Sequence, residues 1–160
     1  MAILGLMVAL AMILSYLEAI IILPVAIPGI KAGLSNLLIV TVMYLYSPRE
    51  AALVNLVRIL LSAMLFGTVT GLIFSLSGAV LSFAVMGLFW KAGLFTVTGV
   101  SILGGVFHNV GQLIAAVFLF SSVTLGYYLP VLLLAGLITG AVNGILATVI
   151  LKRIQHIITE

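Results

Sequence analysis

Long apolar runs alternate with short clusters of proline, glycine and charge, and these clusters divide the chain into about six apolar segments. The first spans about 3–23 and ends in LPVAIPGIK, where Pro24 and Pro28 stop a helix by removing N–H donors. The second covers 32–46 and stops at SPRE; the third covers 51–66. The fourth runs over 71–89 to WKAG, and the fifth over 94–121, long enough that it could contain a break near Gly99. The sixth runs over 128–151 and ends in KRIQH. A spanning helix needs roughly 20 apolar residues, within a range of about 17 to 25. Six passes fit this pattern, with five and seven as alternatives because the second and third segments are short.

Composition decides the solvent. Hydrophobic residues make up 65% of the 160, and charged residues only 6%, against about 25% in a soluble domain. So few charges cannot cover the water-exposed surface of a small globule. The chain therefore reads as an all-α integral membrane protein, one transmembrane domain over 1–160, in a bacterial cell membrane. No A-x-A cleavage site follows the apolar run of the first segment, which is read as a retained helix rather than a signal peptide. The absence of cysteine excludes disulfides and thiolate metal sites. A net charge of +3, scattered along the chain, does not make a nucleic-acid surface, and no GxxxxGK[ST] phosphate loop is present.

Lysine and arginine in short loops orient the segments. With both termini cytoplasmic, Arg49, Lys91, Lys152 and Arg153 all face inside and only Lys31 lies outside. Small residues four apart let helix backbones approach closely in lipid. Gly136, Gly140 and Gly144 form such a row in the last segment, suited to packing within the bundle. In the first segment the pairs are Gly5 with Ala9 and Ala11 with Ser15. That stripe suits a partner protein as well as the bundle, and is the candidate docking surface.

Polar side chains inside the apolar segments carry the functional signal, because ionisable groups there cost about 2.5–3.5 kcal/mol on insertion scales and usually face a bundle interior. Glu18, Lys31, Asn36, Asn55, Arg58, His108, Asn109, Gln112 and Asn143 are the members. A rise of about 1.5 Å per residue places Glu18, Lys31, Asn36, His108 and Gln112 in the outer half, with Arg58 beneath them. In the fifth segment Gly104, Gly105, His108, Gln112 and Ala115 share one face, small below and polar above. Asn109 lies to the side, within reach of a neighbouring helix. These groups either satisfy one another, Glu18 with Lys31 or Arg58 and His108 with Asn36, or form a binding site. As a set they favour a site, and the excess of cations over the single carboxylate Glu18 favours an anionic ligand. No catalytic residue, cofactor or metal ligand is expected: the chain has no aspartate for an acidic magnesium motif, and His108 lies near no carboxylate in sequence.

The stretches PGIKAGLSNLLIV (28–40), LVRILLSAMLFGTVTGLIFSLSGAVLS (56–82) and GGVFHNVGQLIAA (104–116) resemble the Gx transporter family, also labelled heptaprenyl diphosphate synthase component I. The resemblance covers about 28–150. It implies similarity to the S components of energy-coupling factor (ECF) importers. These are six-helix membrane proteins that bind a small molecule near the outer face and work with a coupling subunit and cytoplasmic ATPases. S components often dock through an Ala-x-x-x-Ala stripe on helix one; here only the looser pairs Gly5/Ala9 and Ala11/Ser15 occur. The function expected is an S-component-like importer subunit for a small anionic or amphipathic molecule, such as an isoprenoid or quinone precursor. Lys31 and Arg58 would neutralise it, Asn36, His108, Asn109 and Gln112 would orient it, and Glu18 would hold a cation or a polar group. The alternative is a non-catalytic membrane partner of a polyprenyl diphosphate synthase.

Overall fold

The computed structural model describes residues 2–20 and 33–159. These form α1 (Ala2–Ile20), α2 (Leu34–Leu45), α3 (Pro48–Phe66), α4 (Val69–Ala92), α5 (Val97–Phe120) and α6 (Leu129–Thr159), with a 3-10 turn at Val123–Tyr128 before α6. The described residues contain no β-strand. Pro24, Pro28 and Lys31 lie outside them.

Local chemistry sets most boundaries. Ser47 caps α3: its hydroxyl accepts the Arg49 N–H at 3.2 Å and also bonds the Glu50 carboxylate, with Pro48 in the first turn. The serine thus satisfies one of the otherwise unpaired donors of the first turn, and the Glu50 carboxylate fixes its hydroxyl. SPRE therefore starts α3 at Pro48 rather than only ending α2. Thr68 and Thr96 cap α4 and α5 in the same way, accepting from Gly71 and Gly99 N–H groups at 3.0 and 3.3 Å. No break occurs near Gly99, because Thr96 makes that glycine part of the first turn of α5. Gly93 ends α4 at φ 66°, a left-handed conformation that costs glycine nothing.

The expectation of six long spans is met only in part. Two helices, α4 and α5, and the stretch Val123–His156 are long and apolar enough to cross a bilayer. The apolar parts of α1 and α2 are shorter, and α3 carries Arg49, Glu50 and Arg58. The 12 residues of α2 extend only about 18 Å at 1.5 Å each. The last helix instead runs to Thr159, eight residues past the expected end at 151.

The short α2 is the centre of the bundle. Ile39, Val40, Val42 and Met43 are buried in it, packed with Ala11 of α1, Ala51 and Val54 of α3, Val100 of α5 and Ala147 of α6. Around this core the outward faces are apolar: Met64 is 83% exposed and Phe118 81%. Such a surface is a liability in water and a match for lipid.

The helices α4, α5 and α6 meet through glycine. A Cβ on Gly136 would stand 2.7 Å from the Gly105 carbonyl oxygen, and one on Gly140 2.7 Å from Ile102 Cα. One on Gly144 would stand 2.6 Å from Thr98 Cα, and one on Gly111 2.6 Å from the Ser77 carbonyl oxygen. The small-residue row of the last segment is thus consumed inside the bundle. The first-helix stripe divides: Gly5 and Ala9 are exposed, whereas Ala11 is fully buried in the core and Ser15 is 8% exposed. Ala11 and Ser15 thus face the bundle interior and only Gly5 and Ala9 face outward, because a helix can present only one of these two faces outward.

Candidate functional site

The chain direction brings the end of α1, the starts of α2 and α4, and the C-terminal halves of α3 and α5 to one end of the bundle. The first N–H groups of α2 have no intrahelical acceptor, and Gly33, which precedes them, offers no side-chain cap. Glu18 supplies one from α1. Its Oε1 accepts the Leu34 N–H at 2.8 Å; its Oε2 accepts the Ser35 hydroxyl at 3.1 Å and the Ser35 N–H at 3.5 Å. A carboxylate at a helix N-terminus also opposes the positive end of the helix dipole.

Arg58 of α3 is buried and almost fully engaged. Its Nε and Nη2 donate to Asn55 Oδ1 at 3.1 and 2.6 Å. Its Nη1 donates to Ser15 Oγ at 3.0 Å and Ser35 Oγ at 2.9 Å. Ser35 therefore joins the two charges, accepting from the guanidinium and donating to the Glu18 carboxylate. No direct Glu18–Arg58 ion pair forms among the described residues; the pairing expected from sequence runs through this hydroxyl.

On α5, His108 Nε2 lies 3.2 Å from Gln112 Nε2, one helical turn away. The expected His108–Asn36 bond is not formed. The imidazole rests on Gly78 of α4, where a Cβ would stand 2.8 Å from His108 Cε1 and 2.9 Å from Nδ1. Asn109 turns aside, its Nδ2 donating to the Leu132 carbonyl of α6 at 2.8 Å.

These groups line one cavity of about 160 Å³. Glu18, Asn36, Arg58, His108, Asn109 and Gln112, six of the seven residues expected to bind substrate, all line it; Lys31 lies outside the described residues. Sequence reasoning missed the hydroxyls. Ser15, expected on the docking stripe, instead faces Arg58, and Ser35, Ser62, Thr68, Ser75 and Thr139 also line the wall. A pointer was present in the spacing: Ser15 lies one turn before Glu18, on the same helix face. Gly78 was passed over because its role is to leave room for the imidazole of another helix. The expected cationic excess is also reduced. Among the described lining residues one guanidinium stands against one carboxylate, and they are bridged.

Beneath lies a second cavity of about 20 Å³, walled in part by Asn36, Asn55, Ser82, Ser101, His108 and Asn143. It is of a size for one water molecule. Asn143 Nδ2 donates to the Gly33 carbonyl at 2.9 Å, tying α6 to the start of α2, while its buried Oδ1 has no partner among the described residues. No cluster of three or more metal-ligating side chains occurs among the described residues.

A family model described as heptaprenyl diphosphate synthase component I matches residues 7–150. No curated protein matches the chain, and no solved structure does.

Proposed function

Starting from the fact that the chain belongs to the heptaprenyl diphosphate synthase component I family, we propose that it is a non-catalytic, membrane-embedded binding subunit. In this reading residues 1–160 form a single transmembrane domain of six passes, with both termini cytoplasmic. The polar cavity near the outer face takes up a small amphipathic molecule. The observation that carries the reading is the convergence of Glu18, Asn36, Arg58, His108, Asn109 and Gln112 from four helices onto one cavity. A bundle that needed only internal pairing would close around these groups, since polar atoms buried without partners in an apolar medium are costly.

The test is retention of a ligand. Protein extracted in mild detergent should release, on denaturation, a small molecule detectable by mass spectrometry. A His108→Ala/Gln112→Leu variant of equal helicity should carry about tenfold less, the equivalent of about 1.4 kcal/mol. Equal amounts in both proteins, or no molecule in either, would sink the reading.

Two settings fit such a subunit. The resemblance to S components points to an importer, in which an ECF coupling subunit and cytoplasmic ATPases supply the energy and the exposed Gly5/Ala9 face of α1 serves docking. The family description points to a partner that localises or assists a polyprenyl diphosphate synthase. Co-purification separates them: a soluble synthase subunit supports the second setting, ATPases with a coupling subunit the first.

A further inference from the structure

The cavity charge pattern and size narrow the ligand class, and this step rests on the binding-subunit reading above. We infer that the site takes an uncharged, ring-sized polar group carrying hydroxyl, carbonyl or amide functions, and not a phosphate or carboxylate.

Charge comes first. An anion-binding site presents donors that are short of acceptors. Arg58 is not short of them: Asn55, Ser15 and Ser35 take four of its hydrogen bonds, out of the five N–H groups a guanidinium carries. Glu18 is as fully used, capping α2 and accepting from Ser35. The two charges are therefore at most two hydrogen bonds apart, and each offsets the field of the other. An anion placed in the cavity would meet the Glu18 carboxylate together with the guanidinium, in a medium that screens repulsion poorly.

Among the described residues, most of the hydrogen-bonding capacity left over belongs to neutral groups. Neither the Asn36 side-chain amide nor Gln112 Oε1 has a hydrogen-bond partner among the described residues, and both residues line the cavity. An amide offers both a donor and an acceptor, which suits a hydroxyl or another amide. The one guanidinium N–H left over suits a carbonyl oxygen.

Size comes second. At about 160 Å³ the cavity is close to the roughly 150 Å³ that accommodates a benzene molecule in an engineered protein core. One six-membered ring with small substituents fills it.

Matched probes test this on the full-length protein in detergent. Benzamide and benzoate have nearly the same shape and differ in charge. Hydroquinone adds a second neutral ring, and pyrophosphate a compact anion. Benzamide or hydroquinone at saturating concentration should raise the melting temperature by about 5 °C, and benzoate and pyrophosphate by less than about 1 °C. Ser75→Phe, which fills the cavity from α4, should abolish the shift, and Gln112→Leu should reduce it should the larger substitution prevent folding. Larger stabilisation by either anion overturns the neutral-ligand inference and leaves the binding-subunit reading intact. No shift with either neutral ring, or a shift that persists in both variants, overturns it as well. Whether the binding-subunit reading itself fails is decided separately, by the molecule retained on extraction.

Discussion

Ser35 is the residue on which the polar end of the bundle turns. One hydroxyl accepts from Arg58 and donates to Glu18, so its loss leaves both partners short of a bond. Bonds to charged groups contribute about 1.5–3 kcal/mol each, and a buried group left unsatisfied costs a similar amount. Ser35→Ala should therefore lower stability by about 2 kcal/mol, read as a fall in the denaturation midpoint in detergent. Glu18→Gln keeps an acceptor for Leu34 N–H and should cost less than Ser35→Ala. The reverse order would show that charge, not the hydroxyl bridge, holds this end together. Residue chemistry of this kind was half legible in the sequence. Charged and amide side chains stand out against leucine and valine, and depth placed them at one end. Serine and threonine do not stand out, because in apolar helices they often bond their own backbone, as Thr41, Ser77 and Thr148 do here. Only the fold shows which hydroxyls turn inward.

At the level of elements, glycine position separates contact from exposure. Gly140 of α6 meets Ile102 Cα and the Ser101 carbonyl of α5, whereas Gly5 of α1 meets nothing within 4 Å. Both glycines belong to small-residue patterns, and spacing does not distinguish them. Gly140→Leu should destabilise by at least the 1–3 kcal/mol typical of overpacking, roughly speaking, since backbone on the partner helix cannot rotate away. Gly5→Ala should be neutral or stabilising by up to about 1 kcal/mol, through helix propensity. Parallel thermal melts of the two variants check the contrast. Helix ends follow the same division. The apolar runs located all six helices, but α3 starts earlier than expected because Ser47 and Glu50 act together. The sequence SPRE contains that signal, although proline and charge there also read as a simple stop. Ser47→Ala should cost about 1 kcal/mol.

For the whole molecule, orientation is the prediction that matters most. The proposed topology puts Arg49, Lys91, Lys152 and Arg153 on the cytoplasmic side and the Val123–Tyr128 turn outside. The chain contains no cysteine, so single substitutions report accessibility without background. Tyr127→Cys, at a side chain 82% exposed, should react with a membrane-impermeant maleimide on intact cells. Lys91→Cys and Arg153→Cys should react only after permeabilisation. Labelling of Arg153→Cys from outside would invert the topology and place the polar cavity on the cytoplasmic face. Composition points to a membrane environment, with which the length and apolarity of α4, α5 and the stretch Val123–His156 agree, and the loop cations supply the direction that this labelling tests. The central place of α2 was not legible, since its 12 residues are too short to look like a bundle core.

The glycine contacts among α4, α5 and α6 also bear on motion. Where backbone rests on backbone there are no rotamers to change, so a small displacement meets repulsion at once. Between α1, α2 and α3 the contacts run through longer side chains, such as Met43 and the Arg58 guanidinium with its hydroxyl partners, which have rotamers to change. The molecule is thus stiff on one side and compliant on the other. His108 and Gln112 stand on the stiff side, as a fixed reference wall, while Glu18, Ser35 and Arg58 stand where the bundle can give.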